Sequence, residues 1–206
     1  MHFQYIDHLI RANHTLAEAS VFILYPGMEY ASYEKWWPDR GMRPTPHEGI
    51  DFCYYVDASG KEQAVVPGLR VPVMASGSVA AICGDYLGHT LFLDHGCDGR
   101  GRFLSVYAHI VPDSGVEQGQ HLSPGEVIGG VADTCGRKNR MPAHLHFTLM
   151  EVPENVALTM FDWDLINRSK KSELLDPLEL IDSERTRCRS DNHWKKRVLG
   201  DDTGSA

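Results

Sequence analysis

Short apolar runs, rich in β-branched and aromatic residues, recur between about residues 21 and 152 and are separated by glycine, proline and polar turns. Such runs are typical of strands. Helical periodicity is confined to the ends, as in residues 6–19. The pattern favours a mainly β protein, an antiparallel β-sandwich or barrel with short terminal helices. The predicted strands are 20–24, 52–56, 71–74, 78–82, 90–94, 103–108, 126–129 and 144–150.

The same pattern divides the chain into three zones. Residues 1–20 are interpreted as an N-terminal extension, residues 21–182 as the folded domain and residues 183–206 as a polar C-terminal tail. Within the domain, segments 67–79 and 116–129 both consist of a turn followed by a short apolar strand. This similarity suggests an internal duplication.

Composition narrows the function classes. The chain has 206 residues, of which 42% are hydrophobic and 23% charged, as expected of one globular domain. A net charge of −8 argues against a nucleic-acid-binding face. No apolar run approaches the roughly 20 residues of a membrane helix. The polar start, residues 1–13, does not resemble a signal peptide, which is compatible with an intracellular protein or with a missing leader.

The chain has five cysteines and no C-x-x-C pair. A zinc knuckle built on cysteines is therefore not expected, and an odd number cannot pair completely within one chain. We predict free, mostly buried thiols.

The first motif with chemical content is His47-Glu48-Gly49-Ile50-Asp51, which follows a proline-rich loop. Residues four apart on a straight strand stand ~13 Å apart. Two ligands of one tetrahedral zinc ion must lie within roughly 3.5 Å of each other. If both residues bind one metal, the chain must bend between them, and Gly49 is able to adopt the required backbone angles. The alternative is a loop histidine with an unrelated aspartate nearby.

The second motif is His144-Leu145-His146, in a predicted strand. Alternation places the two imidazoles on one face and Leu145 on the other. The pair suits a metal ligand beside a proton-transferring group, but an H-x-H pair also occurs on solvated faces. The third motif, Tyr107-Ala108-His109, ends an apolar run, where a histidine is often structural.

Taken together and in this order, H-x-G-x-D, Y-A-H-I and H-L-H-F resemble the lysostaphin-type (LytM-type) zinc metalloendopeptidases. Segments 71–79, 93–96 and 119–129 are also similar to that family, and 175–178 resembles its closing segment. The resemblance covers residues 25–152.

The resemblance implies a duplicated hybrid motif fold and one zinc ion per chain. It implies His47, Asp51 and His146 as metal ligands and His109 and His144 as catalytic histidines. One histidine would take the proton of the attacking water and the other would hydrogen-bond the water or the oxyanion, and the sequence does not assign these roles. The implied substrate is a peptide, in peptidoglycan stem peptides or cross-links, which would place the protein in the cell envelope or periplasm.

The sequence departs from the family pattern in two places. The strand usually reads H-L-H-F-E, and here Thr148 takes the last position. The glycine- and serine-rich stretch before it is replaced by the basic segment 137–143. Asn139 and Arg140 in this segment, together with Tyr107, are the candidates for a substrate groove. The Trp36-Trp37 pair either lines that groove or packs in the core.

Three functions are compatible with these motifs. The first is an active zinc endopeptidase. The second is a catalytically silent LytM-like regulator of another cell-wall hydrolase, although such relatives are expected to lose ligands and all five positions are present here. The third is a phosphocarrier with a similar duplicated β fold, which has no use for His47 and Asp51.

Overall fold

The computed structural model describes residues 2–16, 20–37, 41–97, 101–134, 141–157, 160–167 and 171–190. Within these ranges the chain forms two α-helices, two 3₁₀ helices (Pro177–Glu179 and Ser183–Arg185) and strands, as the apolar pattern predicts. The α-helices are α1 (Tyr5–Ala12) and α2 (Trp163–Asn167). The strands are β1 (Val21–Leu24), β2 (Ile50–Phe52), β3 (Tyr54–Val56), β4 (Glu62–Ala64), β5 (Arg70–Pro72), β6 (Gly77–Gly84), β7 (His89–Cys97), β8 (Arg102–Pro112), β9 (His121–Leu122), β10 (Val127–Val131), β11 (Leu145–Val152), β12 (Glu173–Leu175) and β13 (Thr186–Cys188).

The strands form two sheets. The larger has the order β12-β11-β8-β7-β6-β9, with β2 paired to β11 and β10 paired to both β8 and β5. The smaller has the order β13-β1-β3-β4. The mainly β fold with short helices near its ends is confirmed. The similar segments noted in the sequence meet here, because β5 and β10 are antiparallel neighbours.

The predicted strand 52–56 is in fact divided between the two sheets. β2 pairs with β11 in the larger sheet, and β3 pairs with β1 in the smaller one. The break falls at Cys53, whose thiol is buried and directed at the carbonyl oxygen of Ala143. The chain thus passes from one sheet to the other at Cys53, two residues after Asp51.

Strand β11 is buried on both faces, which explains its nearly continuous apolar sequence. Leu145, Phe147 and Leu149 enter the main core, which also contains side chains of the smaller sheet and of α1. On the opposite face, Met150 and Val152 belong to a second apolar cluster under α2. His146 precedes them on that second face.

Helix α1, within the predicted N-terminal extension, packs into the core. Its buried residues, Tyr5, Ile6, Leu9 and Ile10, form one apolar stripe. The Tyr5 ring stacks on Phe147 with centroids 4.5 Å apart.

Four cysteines lie in the described ranges, and these four are unpaired. Only Cys53 among them is buried, whereas Cys97 and Cys188 are exposed, so the expectation of mostly buried thiols is wrong for this set. In the described part of the chain, no helix has the length and apolar character required to cross a membrane.

Candidate active site

Strand pairing brings the first and second motifs together. Asp51 on β2 lies directly opposite His146 on β11. His47 precedes β2, and the chain bends at Glu48 and Gly49. The predicted bend is therefore present, but the reason for the glycine differs from the expected one. A Cβ on Gly49 would lie 2.1 Å from the carbonyl oxygen of Phe147, so the residue is needed for close approach to β11.

The three residues form what we call the ligand cluster: His47, Asp51 and His146. His47 Nε2 lies 3.1 Å from His146 Nδ1 and 3.3 Å from Asp51 Oδ1. The remaining distance, from His146 Nδ1 to Asp51 Oδ1, is 2.9 Å. All three side chains are buried.

Atoms of His47 and Asp51 that point away from the centre of the cluster contact neighbouring groups. His47 Nδ1 donates to the carbonyl oxygen of Glu29 at 2.9 Å. Trp36 Nε1 donates to Asp51 Oδ2 at 2.5 Å, and the Arg43 guanidinium lies 3.6 Å from the same oxygen. Such outer partners orient metal ligands and set the tautomer of a ligating histidine.

Thr148, the departure from the family pattern, supplies the partner for His146. Its Oγ1 lies 2.9 Å from His146 Nε2, on the same face of β11. A neutral imidazole that offers Nδ1 to the cluster carries its proton on Nε2 and donates it to this hydroxyl.

The geometry and the donor set of the cluster fit a zinc ion. Two imidazoles and a carboxylate are typical zinc ligands, and ligands of tetrahedral zinc are separated by about 3.5 Å. Three ligand atoms converge on one buried point, and a cation between them would balance the negative charge of Asp51. Glu48 offers a further oxygen within 4.8 Å of the ligand atoms of His47 and His146.

The groups around Asp51 keep its carboxylate ionised, as metal binding requires. Burial alone would raise its pKa, but the neighbouring side chains of His47, His144 and His146 lower it by more than burial raises it. The pKa of Asp51 therefore lies well below its usual value, and the carboxylate is ionised.

His144 lies beside the cluster. Its Nδ1 donates to the carbonyl oxygen of Pro142 at 2.8 Å, and its Nε2 lies 3.8 Å from Asp51 Oδ1. Burial lowers the pKa of His144 to about 3, so its imidazole is neutral near pH 7. The Trp36 ring packs edge-on against it at 5.0 Å.

His109, three residues before the end of β8, completes the arrangement. Its ring lies 4.9 Å from that of His144 and 5.8 Å from that of His146. Its Nδ1 lies 3.1 Å from Asp85 Oδ1, which leaves Nε2 on the pocket side. The structure thus brings all five of the predicted metal-binding and catalytic residues into one pocket.

The pocket has a volume of about 280 Å³. Its apolar walls are Trp37, Tyr86, Leu87, Met141 and Trp163. Of the Trp36-Trp37 pair, Trp37 lines the pocket and Trp36 is fully buried, so both interpretations of the pair apply, one to each ring.

None of the three proposed groove residues is seen in the pocket lining of the described structure. Asn139 and Arg140 lie outside the described residues. Tyr107 is fully buried and does not reach the pocket, because its side chain lies on the core face of β8. Its hydroxyl accepts from the Met74 backbone N–H at 2.7 Å and from Ser105 Oγ at 2.9 Å.

Sequence reasoning missed Asp85, Arg43 and Trp163. A lone aspartate after a strand and a tryptophan in a C-terminal helix carry no spacing signal. Trp36, Arg43 and Trp163 contact site residues from outside the stretch that contains the motifs.

Comparison with protein-family models gives a match to peptidase family M23 over residues 45–158, which is more than half of the chain. Comparison with curated protein sequences gives no match. Similar solved structures include lysostaphin, at 19% identity and a TM-score of 0.44, covering 74% of this chain and 53% of that one. A putative M23 peptidase from Pseudomonas aeruginosa is 30% identical, with a TM-score of 0.37, covering 61% and 48%. A zinc-containing peptidase from Vibrio cholerae is 21% identical, with a TM-score of 0.43, covering 69% and 40%.

The chain spans about half of the length of the first two of these structures. The family match begins two residues before His47 and includes Asp51, His109, His144 and His146. Trp36, Trp37 and Arg43 precede it, and Trp163 follows it. By this match the chain belongs to peptidase family M23.

Proposed function

We propose that this chain is an active zinc metalloendopeptidase that holds one zinc ion on His47, Asp51 and His146. The observation that carries the proposal is the convergence of three buried ligand atoms within 3.3 Å of one another, with the outward nitrogens of both histidines already hydrogen-bonded. Membership of a peptidase family supports hydrolysis as the reaction.

When bound, zinc supplies Lewis-acid chemistry at this point: it polarises a peptide carbonyl and makes a water molecule acidic. Proton transfer falls to the histidines. His144 and His109 each have Nδ1 directed at a protein acceptor, so each keeps an Nε2 lone pair for the pocket. Either lone pair is able to accept the proton of the attacking water, and the imidazolium formed protonates the leaving amine.

The proposed substrate is a peptide bond in peptidoglycan stem peptides or cross-links, as the family resemblance implies. The apolar walls of the pocket offer contacts to a substrate residue with a side chain as well as to the flat peptide unit. A preference limited to glycine does not follow from such walls.

Digestion of purified peptidoglycan with identification of the products by mass tests the reaction and the bond together. We expect wild-type protein with about one zinc ion per chain to release peptides, and His144→Ala to retain zinc and release none. His121→Ala is the matched control, because His121 is an exposed histidine on β9; it should behave as wild type.

Two other results of these experiments would contradict the proposed function. Folded wild type that contains no zinc, with His146→Ala unchanged in metal content, would overturn the proposal. Zinc-loaded wild type that cleaves neither peptidoglycan nor glycine- or alanine-rich peptides would instead favour the silent regulator.

A further inference from the structure

Asp85 lies in the turn between β6 and β7, and its carboxylate accepts hydrogen bonds from several donors. Oδ1 accepts from the backbone N–H groups of Leu87 at 2.7 Å and Gly88 at 2.6 Å. Oδ2 accepts from Thr90 Oγ1 at 2.8 Å and from the backbone N–H of His109 at 2.9 Å. The His109 ring nitrogen Nδ1 is 3.1 Å from Oδ1. The carboxylate is thus tied to its own turn and to His109 at the same time.

Burial alone would raise the pKa of Asp85, but the hydrogen bonds from His109 and Thr90 outweigh burial. The pKa of Asp85 lies well below its usual value, so the group is an anion. An anionic carboxylate only accepts, and therefore the nearby Nδ1 of His109 carries a proton.

The backbone of His109 is unusual as well. Its φ is +63°, in the left-handed region that side-chain-bearing residues rarely adopt. Between the pairs His89↔Ile110 and Leu91↔Tyr107, two residues of β8 stand opposite one residue of β7. Such a bulge redirects a side chain and occurs often next to active sites. A strained residue of this kind persists only where its surroundings hold it.

Trp163 holds the other side of the ring. Its indole is stacked on the His109 imidazole with an interplanar angle of 9° and a centroid distance of 6.2 Å. Its Nε1 donates to Thr90 Oγ1 at 2.9 Å, the same hydroxyl that donates to Asp85 Oδ2. We call these four residues the His109 network: Asp85, Thr90, His109 and Trp163.

We propose that Asp85 is a positioning residue that keeps His109 in the Nδ1–H tautomer and directs its Nε2 into the pocket, while Trp163 holds the plane of the ring. This inference rests on the proposed peptidase function only for its catalytic consequence. The tautomer itself exists in the folded protein whether or not a substrate is cut.

Replacement of Asp85 by asparagine is diagnostic because an amide has one acceptor and one donor. With its NH₂ at the Oδ1 position, the amide faces Nδ1 of His109 and two backbone N–H groups. With its NH₂ at the Oδ2 position, it faces the backbone N–H of His109. Both arrangements set the NH₂ group against a donor, and both remove the negative charge that favours a proton on Nδ1. We therefore expect the Nδ1–H tautomer to lose population to Nε2–H.

The experiment measures the His109 tautomer by ¹H–¹⁵N correlation NMR, in the zinc-free and zinc-loaded protein, together with kcat and KM. In wild type we expect protonated Nδ1 and unprotonated Nε2. In Asp85→Asn we expect a shift towards Nε2–H and a fall in kcat of about 100-fold or more, with KM within about 3-fold. Asp94→Asn is the matched control, since Asp94 is a partly buried β7 carboxylate paired with Arg102 and outside the pocket lining.

The outcomes separate the two proposals. An Nε2–H tautomer in wild type, or an unchanged tautomer and kcat in folded Asp85→Asn, would overturn the role of Asp85. If Asp85→Asn does not fold, the wild-type tautomer still decides. A wild type with the expected tautomer but without peptidase activity would contradict the proposed function alone.

The part assigned to Trp163 has its own test. In Trp163→Leu we expect an unchanged tautomer, because Asp85 remains, and a fall in kcat of about 10-fold. A rise in KM at constant kcat would mean that Trp163 binds substrate and does not position His109.

Discussion

The ligand cluster and the His109 network lie on two sides of the same pocket, and they are built differently. The cluster arises from one antiparallel pairing, β2 with β11, which sets Asp51 opposite His146. The network joins a turn, a bulged strand end and a helix that follows the family match. The ligand cluster thus joins two short motifs with a recognisable spacing, although Asp51 and His146 are 95 residues apart. The residues around His109 belong to no such motif.

The catalytic histidines proposed on the two sides of the pocket also have different partners at Nδ1. His144, beside the cluster, is backed by the neutral carbonyl of Pro142. His109 is backed by the charged Asp85 carboxylate. Variants that act on one side only therefore test whether metal binding and proton transfer are separable.

The largest effect is expected for His146→Ala. Loss of one ligand and of its hydrogen bond to Thr148 should reduce zinc from about one ion per chain to below about a tenth, with activity at background. Metal analysis after gel filtration measures this. Zinc retained at wild-type level would mean that the cluster is not the metal site.

His144→Ala should separate the two roles. We expect zinc content as in wild type and a decrease in kcat of about 10²- to 10⁴-fold, as for removal of a group that transfers protons. Steady-state kinetics with parallel metal analysis checks this. Loss of zinc together with activity would assign His144 to the ligand cluster.

Gly49→Ala tests the strand pairing on which the cluster depends. The added Cβ would meet the Phe147 carbonyl oxygen at 2.1 Å, so β2 must move away from β11. We expect the free energy of unfolding to fall by about 3 kcal/mol, as in overpacked cores, and zinc affinity to fall with it. In Gly84→Ala, where an added Cβ meets nothing within 4 Å, chemical denaturation should show little change.

Thr148→Val should have the smallest effect. The change keeps the shape and removes the acceptor of the His146 Nε2 proton, so zinc affinity should fall by about 10- to 100-fold. Competition with a chelator measures the affinity. Thr148→Ser keeps the hydroxyl and should stay close to wild type, and equal losses in both variants would exclude the hydrogen bond as the cause.

Much of the fold was predictable from the sequence, with exceptions that have physical causes. Eight predicted strands correspond to strands of the structure, but residues 52–56 were assigned to a single strand. The break at Cys53 was not visible because a buried residue between two sheets is as apolar as the strands beside it. The short β4, β9, β12 and β13 were missed because two or three residues carry little periodicity.

The candidate site was likewise predictable only in part. Alternation along β11 was enough to predict that His144 and His146 leave the sheet on the face opposite Leu145, because that direction follows from backbone geometry. Tyr107, two residues before His109, is predicted from the sequence to lie in the groove. The bulge and the left-handed backbone at His109 direct its side chain and that of Tyr107 to different environments. No pattern of residue types predicts either feature.

By itself, the sequence determined the fold class, the family and the five histidine and aspartate positions around the pocket, because these depend on short spacings and strand periodicity. Only the tertiary structure decided which nitrogen of each histidine faces the pocket and which groups hold the other one. Two of these partners are close in the chain, because Pro142 is two residues from His144 and Thr148 is two residues from His146. Around His109 they are distant: Asp85 is 24 residues from His109, and Trp163 is 73 residues from Thr90. Hydrogen bonds over such separations form only when packing brings the segments together, so they leave no local signal in the sequence.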